Sequence, residues 1–202
     1  MSFRALPPAQ GLYDPALEHD ACGVGFVCNI KNRKSHEIVQ QGLEILERLT
    51  HRGAVGADPK AGDGAGILVQ IPDKFFRAVV DFELPPAGQY GVGHVFLPKE
   101  EKARVEMEAI VNRHLEKGGQ AVLGWRDVPV DNGDLGESVL PSEPVIRQVF
   151  VGCGEICPDQ DGFERKLFAI RKHMDNAIRE AGYEKTAYYV TSMSSRTVTY
   201  KG

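Results

Sequence analysis

One cysteine near the start of the chain has the neighbours of a nucleophile. Cys22 lies within residues 19–26, where the small residue Ala21 precedes it and Gly23 follows it. Cleavage after Ala21 would make Cys22 the N-terminus, and its free α-amine could then accept the thiol proton. Because the thiolate is the attacking species, a nearby amine or arginine would favour the reaction. The alternative is a buried core cysteine at the start of a strand, since free cysteine is often buried.

An arginine and a glycine-rich loop are further candidates. Arg52 follows a predicted helix, where it could be solvated at the helix C-terminus or could reach a thiolate or carboxylate. Glycines recur at 62, 64 and 66, but the loop lacks the Lys-Ser/Thr of a phosphate-binding loop and leads into a strand. Two interpretations remain open for these glycines: a plain structural turn, and a loop lying against another element or a substrate.

The remaining cysteines predict neither a metal centre nor a disulfide framework. Four cysteines in 202 residues are too few for a disulfide scaffold. Cys153 and Cys157 are separated by three residues, and no second pair completes a tetrahedral ligand set. We therefore interpret Cys28, Cys153 and Cys157 as inert thiols, and we expect no metal.

Composition argues against several classes of protein. A net charge of -4 gives no electrostatic footprint for nucleic acid or an anionic membrane. No apolar run approaches the ~18 residues that a membrane-spanning helix needs. Residues 1–21 contain prolines and acidic residues but no apolar core of a secretory signal, so we expect a cytoplasmic protein.

Helical and strand patterns alternate along the chain. Apolar residues at helical spacing predict four helices, with Ser35 and Gly182 as caps of the first and last: 36–50, 73–80, 99–117 and 163–181. Apolar runs and alternating patterns predict five strands: 21–30, 67–71, 90–97, 121–128 and 145–151. Residues 186–193 and 197–200 are predicted to pair as a hairpin. This mixture favours sheets covered by layers of helices.

Seven short motifs follow one another in order: 22–26, 51–54, 62–66, 72–76, 93–98, 124–129 and 200–202. Together they resemble the N-terminal glutamine amidotransferase domain of glutamate synthase large subunits, over residues 11–202. The resemblance implies an α+β, four-layer αββα N-terminal nucleophile hydrolase fold that is incomplete at the C-terminus. Residues 1–21 would be a leader or propeptide, and residues 22–202 a partial type 2 glutamine amidotransferase domain.

The resemblance also implies roles for individual residues. Cys22 would attack the side-chain amide of L-glutamine and form a γ-glutamyl thioester, which releases ammonia and then glutamate. Arg52 matches a family arginine beside the nucleophile. Gly23 would allow close approach of the backbone, and Gly64 and Gly66 would pack around the substrate.

The full family enzyme delivers the ammonia to 2-oxoglutarate in a synthase domain that uses FMN and an iron–sulfur cluster. We expect no cofactor in these 202 residues. The segments that clamp glutamine and form the oxyanion hole in the family lie beyond residue 202, so we expect this chain alone to be weakly active or inactive.

One alternative is a non-catalytic binding or regulatory module that associates with a synthase subunit. Another is an amidotransferase domain of a sugar or purine biosynthetic enzyme.

Overall fold

The computed structural model of the chain describes residues 10, 23–53, 58, 60–62, 64–155, 157, 159–183 and 188–202. Cys22 and, apart from Gln10, the predicted leader lie outside the described residues. The chain divides into two compact units, Met1–Asp63 and Gly64–Gly202, which we describe separately.

The first unit contains the first predicted helix. Helix α1 spans His36–Arg48 and continues into a 3₁₀ turn, Thr50–Arg52, which confirms the prediction for residues 36–50. Ser35 occupies the N-cap position, although its side chain makes no capping hydrogen bond. The helix is therefore specified by its apolar spacing more than by its cap.

The strand predicted for residues 21–30 is not observed in its described part. Residues 23–29 have no regular secondary structure, and the side chains of Val24, Phe26 and Ile30 are 92%, 88% and 99% exposed. A strand needs a neighbour to supply its hydrogen bonds, and neither sheet formed by the described residues includes this segment.

Six strands in the described part of the second unit form two antiparallel sheets. They are β1 (Gly66–Gln70), β2 (Tyr90–Leu97), β3 (Ala121–Asp127), β4 (Val145–Gly152), β5 (Tyr189–Ser194) and β6 (Thr197–Lys201). One sheet has the order β3-β4-β2-β5, and the other pairs β1 with β6. The mixed α and β class and the antiparallel sheets agree with the predicted fold class.

Three helices accompany these strands: α2 (Asp73–Val79), α3 (Glu101–Lys117) and α4 (Gln160–Glu180). Helix α4 begins three residues earlier than predicted because Asp159 caps it, its carboxylate accepting from the Gly162 N–H at 2.6 Å. The chain leaves α4 through Gly182 at φ 90°, which confirms the predicted C-terminal cap. No helix in the described ranges is long and apolar enough to span a membrane.

Two apolar clusters form the core of the second unit. Alternate residues of β2 belong to different clusters, as expected for side chains on opposite faces of a sheet. Val95 and Leu97 pack in one cluster with residues of α3 and α4, whereas Tyr90 and Val92 pack in the other with Phe76 of α2 and residues of the β1–β6 pair. The four-stranded sheet therefore has α3 and α4 on one face, and α2 together with the second sheet on the other.

The prediction that the last two strands form a hairpin is wrong. Strand β5 pairs with β2, whereas β6 pairs with β1, so the chain crosses from one sheet to the other. Hydroxyl groups occupy places that a hairpin would give to carbonyls. The Thr199 N–H donates to Ser192 Oγ at 2.9 Å, and the Arg196 N–H donates to Ser194 Oγ at 3.0 Å.

Candidate active site

Gly23 and Arg52 are in contact within the first unit. A Cβ atom added to Gly23 would lie 3.2 Å from Cβ and 3.3 Å from Cγ of Arg52, and 3.1 Å from Cδ2 of Leu49. The backbone at Gly23 therefore lies directly on the aliphatic stem of Arg52. Two of the predicted site residues are thus brought together, and Gly23 is the residue bonded to Cys22, which itself lies outside the described residues.

The end of α1 positions the backbone of Arg52. The Arg52 N–H donates to the Leu49 carbonyl at 2.8 Å, which closes the 3₁₀ turn. Thr50 Oγ1 donates to the Glu47 carbonyl at 2.8 Å, and His51 Nδ1 donates to the Arg48 carbonyl at 2.9 Å. Side chains thus satisfy carbonyls that the last helical turn would otherwise leave unpaired.

This arrangement has a clear chemical use. A guanidinium stays charged throughout the physiological pH range and presents five N–H donors. A cation beside a cysteine favours its thiolate form and so its nucleophilicity. The stem of Arg52 touches Gly23, the residue next to Cys22 in sequence, which makes Arg52 a candidate for this role.

Gly64 and Gly66 lie against β6 in the second unit. A Cβ atom on Gly64 would lie 2.6 Å from the Gly202 carbonyl oxygen, and one on Gly66 would lie 2.9 Å from that of Tyr200. Between them, Ala65 exchanges two hydrogen bonds with Gly202, at 3.1 and 3.0 Å. Close approach of the loop to another element therefore explains both glycines, because a side chain at either position would collide with the backbone of residues 200–202.

His94 of β2 is a buried polar residue that the sequence did not single out. It is 1% exposed, and its ring lies edge-on to those of Phe96 and Tyr200. Gln148 links it to Arg126: the guanidinium donates to Gln148 Oε1 at 2.9 Å, and Gln148 Nε2 lies 3.4 Å from His94 Nδ1.

The Arg126–Gln148 contact sets the tautomer of His94. Since Arg126 can only donate, Gln148 must present its oxygen to Arg126 and its NH₂ to His94, which makes Nδ1 an acceptor and places the proton on Nε2. Burial lowers the pKa of His94 to about 4, so the ring is neutral. Its position in the strand predicts burial, but nothing in the local sequence indicates the link to Gln148.

The described residues contain no group of three or more His, Cys, Asp or Glu side chains that could hold a metal ion.

A family model described as "Glutamine amidotransferases class-II" matches residues 22–202. This chain belongs to that family. The amidotransferase match begins at the predicted nucleophile, Cys22, and continues to the last residue of the sequence.

Curated relatives of this amidotransferase chain are glutamate synthases. The glutamate synthase [NADPH] large chain of Bacillus subtilis is 47% identical over 203 residues, covering 100% of this chain and 13% of the relative. Glutamate synthase [NADH] of Schizosaccharomyces pombe is 43% identical, covering 98% of this chain and 10% of the relative. Ferredoxin-dependent glutamate synthase 2, chloroplastic, of Arabidopsis thaliana is 36% identical, covering 100% and 12%. The chain thus spans about a tenth of the length of these relatives, and the resemblance carried by the seven motifs is confirmed.

Proposed function

We propose that this amidotransferase chain hydrolyses the side-chain amide of L-glutamine with Cys22 as nucleophile. Removal of residues 1–21 frees the α-amine of Cys22, which accepts the thiol proton. The thiolate then attacks the amide carbon, ammonia leaves, and water hydrolyses the γ-glutamyl thioester to glutamate. The start of the family match at Cys22 supports this assignment.

The observation that carries the proposal is the packing of Gly23 on Arg52. In the proposed site, Arg52 stabilises the Cys22 thiolate and orients the new N-terminus. Gly23 has no side chain, which lets the backbone beside the nucleophile approach both Arg52 and the substrate amide. A larger residue at position 23 would push the two apart, because the space is already as tight as van der Waals contact allows.

For Gly64 and Gly66 we propose a supporting role. Their missing side chains allow the loop to lie on β6, and the peptide groups of this loop would border the bound glutamine. The helix and sheet layers of the second unit are compatible with a four-layer αββα N-terminal nucleophile hydrolase fold, which we propose for the complete domain.

In the whole protein, we propose that the ammonia passes to a synthase domain or subunit and reacts there with 2-oxoglutarate to form glutamate, in the cytoplasm. The names and the similarity of the relatives support the synthase reaction. FMN and an iron–sulfur cluster would serve that synthase reaction.

Two measurements on the purified chain test the proposal. Intact mass should show that the chain begins at Cys22. A glutamine analogue with a diazoketone in place of the amide should then label one site, in the peptide that carries Cys22. Cys22→Ser should abolish both the cleavage and the labelling. Cys28→Ser, at an exposed cysteine nearby, should leave both unchanged. A chain that keeps residues 1–21, or labelling that is independent of Cys22, would instead support the non-catalytic module.

A matched pair of arginine variants tests the role of Arg52. Arg52→Lys keeps the charge but loses the planar fork, so we expect the labelling rate to fall by about tenfold. Arg48→Lys should change the rate by less than about twofold, because its ion pair with Glu44 is exposed and such pairs contribute little. Equal effects of the two substitutions would remove Arg52 from the site.

A further inference from the structure

The connection between β4 and α4 brings two cysteines together. Cys153 directly follows β4, and Cys157 lies three residues before the start of α4. The Cys157 N–H donates to the Gly154 carbonyl at 3.3 Å, so the chain folds back between the two thiols. Burial, together with hydrogen bonding to the Cys157 thiol, raises the pKa of Cys153 to about 11.

Gln120 holds this turn in place. Its side chain is 3% exposed, and Oε1 accepts from the Gly154 N–H at 3.1 Å and from Cys157 Sγ at 3.6 Å. Its Nε2 donates to the Gly118 carbonyl at 3.1 Å. A Cβ atom on Gly154 would overlap the Gly119 carbonyl oxygen, so the turn packs directly on the connection between α3 and β3.

Both thiols are also open to small reagents. Cys153 and Cys157 are only partly buried, at the margin of the apolar cluster beneath α3 and α4. Neither belongs to the proposed glutaminase machinery. A buried amide thus holds the turn that carries both partly buried cysteines, with Cys157 Sγ on Gln120 and Cys153 bonded to Gly154, which Gln120 also contacts.

We propose that Cys153 and Cys157 form a redox-active thiol pair that closes an intramolecular disulfide when it meets a low-molecular-weight disulfide. One protein thiolate attacks a sulfur of the small disulfide, breaks its S–S bond and expels one small thiolate. The second protein thiolate attacks the protein sulfur of this mixed disulfide and expels the other. Two protein thiols are oxidised, and the small disulfide is reduced to two thiols, which take up the two protons released.

Burial and hydrogen bonding to the Cys157 thiol raise the pKa of Cys153, which disfavours its thiolate at neutral pH. The cross-link would tie the end of β4 to the approach to α4.

Trypsin offers a direct test, because cleavage after Arg147 and Arg165 leaves both cysteines, and no other, in peptide 148–165. The purified chain is incubated with oxidised glutathione, quenched with acid, alkylated with N-ethylmaleimide and digested. We expect this peptide to go from two maleimide groups to none, with the loss of two hydrogen masses. Dithiothreitol should restore both maleimide groups. The Cys22→Ser variant should form the Cys153–Cys157 disulfide equally well, which separates this result from the glutaminase proposal.

Controls distinguish a built pair from mere closeness in sequence. The equilibrium constant for closure should be at least about tenfold larger in the native chain than in the same chain in guanidinium, because the fold holds the thiols together. Gln120→Leu should lower the native constant while the Trp125 fluorescence of the folded chain persists. Three outcomes would each overturn the proposal. The peptide could keep two maleimide groups at every ratio of oxidised to reduced glutathione, or it could stop at a glutathione adduct without forming the disulfide. The native and denatured chains could also form the disulfide with equal equilibrium constants.

Discussion

Replacing Glu164 with alanine should lower the free energy of unfolding of the second unit by about 3 kcal/mol. Glu164 lies on α4 and accepts three hydrogen bonds from the turn that joins β5 to β6. The Ser195 N–H and Oγ donate to it at 2.6 Å each, and Ser194 Oγ donates at 2.9 Å. This carboxylate therefore fastens the point where the chain crosses between the two sheets.

The magnitude follows from burial at the turn. A hydrogen bond to an ionised group contributes about 1.5–3 kcal/mol to stability. When a buried donor loses its acceptor and cannot reach water, most of this contribution is lost. Ser195 is 3% exposed, so both of its donors would be left with poor access to water. Ser194 is less buried and would recover a bond to water. Glu164→Gln keeps the shape and one acceptor, and about half of the loss is expected.

Fluorescence of Trp125 provides the assay, since it is the only tryptophan in the chain. Its Nε1 donates to Asn112 Oδ1 at 2.9 Å and the Arg147 guanidinium lies 5.4 Å from its ring centre, so its emission reports packing of the second unit. Urea unfolding should show a lower midpoint with an unchanged slope.

Glu180→Ala is the matched control, because this glutamate is exposed at the end of the same helix. It should change stability by less than about 0.5 kcal/mol. A loss below about 1 kcal/mol for Glu164→Ala, or equal losses for the two variants, would refute the reasoning.

Three further predictions concern the same unit. Burial lowers the pKa of His94 to about 4, so the unfolded chain binds a proton that the native chain excludes as the pH falls from about 6.5 to about 4. Stability should decrease by up to about 3 kcal/mol across that window, and an NMR titration midpoint of His94 above about 6 would contradict this. Gly182→Ala should cost about 1 kcal/mol in urea unfolding through backbone strain alone, since its φ is 90° and the space around it is open. Gly93→Ala should cost about 1–3 kcal/mol through overpacking, since its Cβ would lie 2.7 Å from Val149 Cγ1, and Val149→Ala should rescue Gly93→Ala but not Gly182→Ala.

Local patterns predicted most elements of the second unit correctly. Strand β2 has the predicted bounds, and the other strands and α2 to α4 begin or end within three residues of them. Periodicity and caps depend on neighbours a few positions away, so sequence alone is informative about them. The same local evidence failed for residues 23–30, because an alternating apolar pattern does not say whether a partner strand is present.

At the candidate site, too, the sequence indicated the residues and the fold showed their contacts. The residue types and order of the motifs were sufficient to assign the class of chemistry and to select Cys22 and Arg52. The packing of Gly23 on the stem of Arg52 appears only in the fold, because it depends on how residues 23–30 lie along α1. The glycine loop was ambiguous in sequence, and its contact with β6 explains two of its glycines structurally.

The sequence by itself determined the family, the candidate nucleophile and the places where helices and strands form, since these depend on residue identity and short-range spacing. Only packing in three dimensions decided that β5 and β6 join different sheets, that Gln148 sets the tautomer of His94, and that Gln120 contacts both Gly154 and Cys157. Each of these pairings joins residues that are distant in sequence or belong to different elements. Their geometry is set by the packing of the whole unit, so no local pattern encodes it.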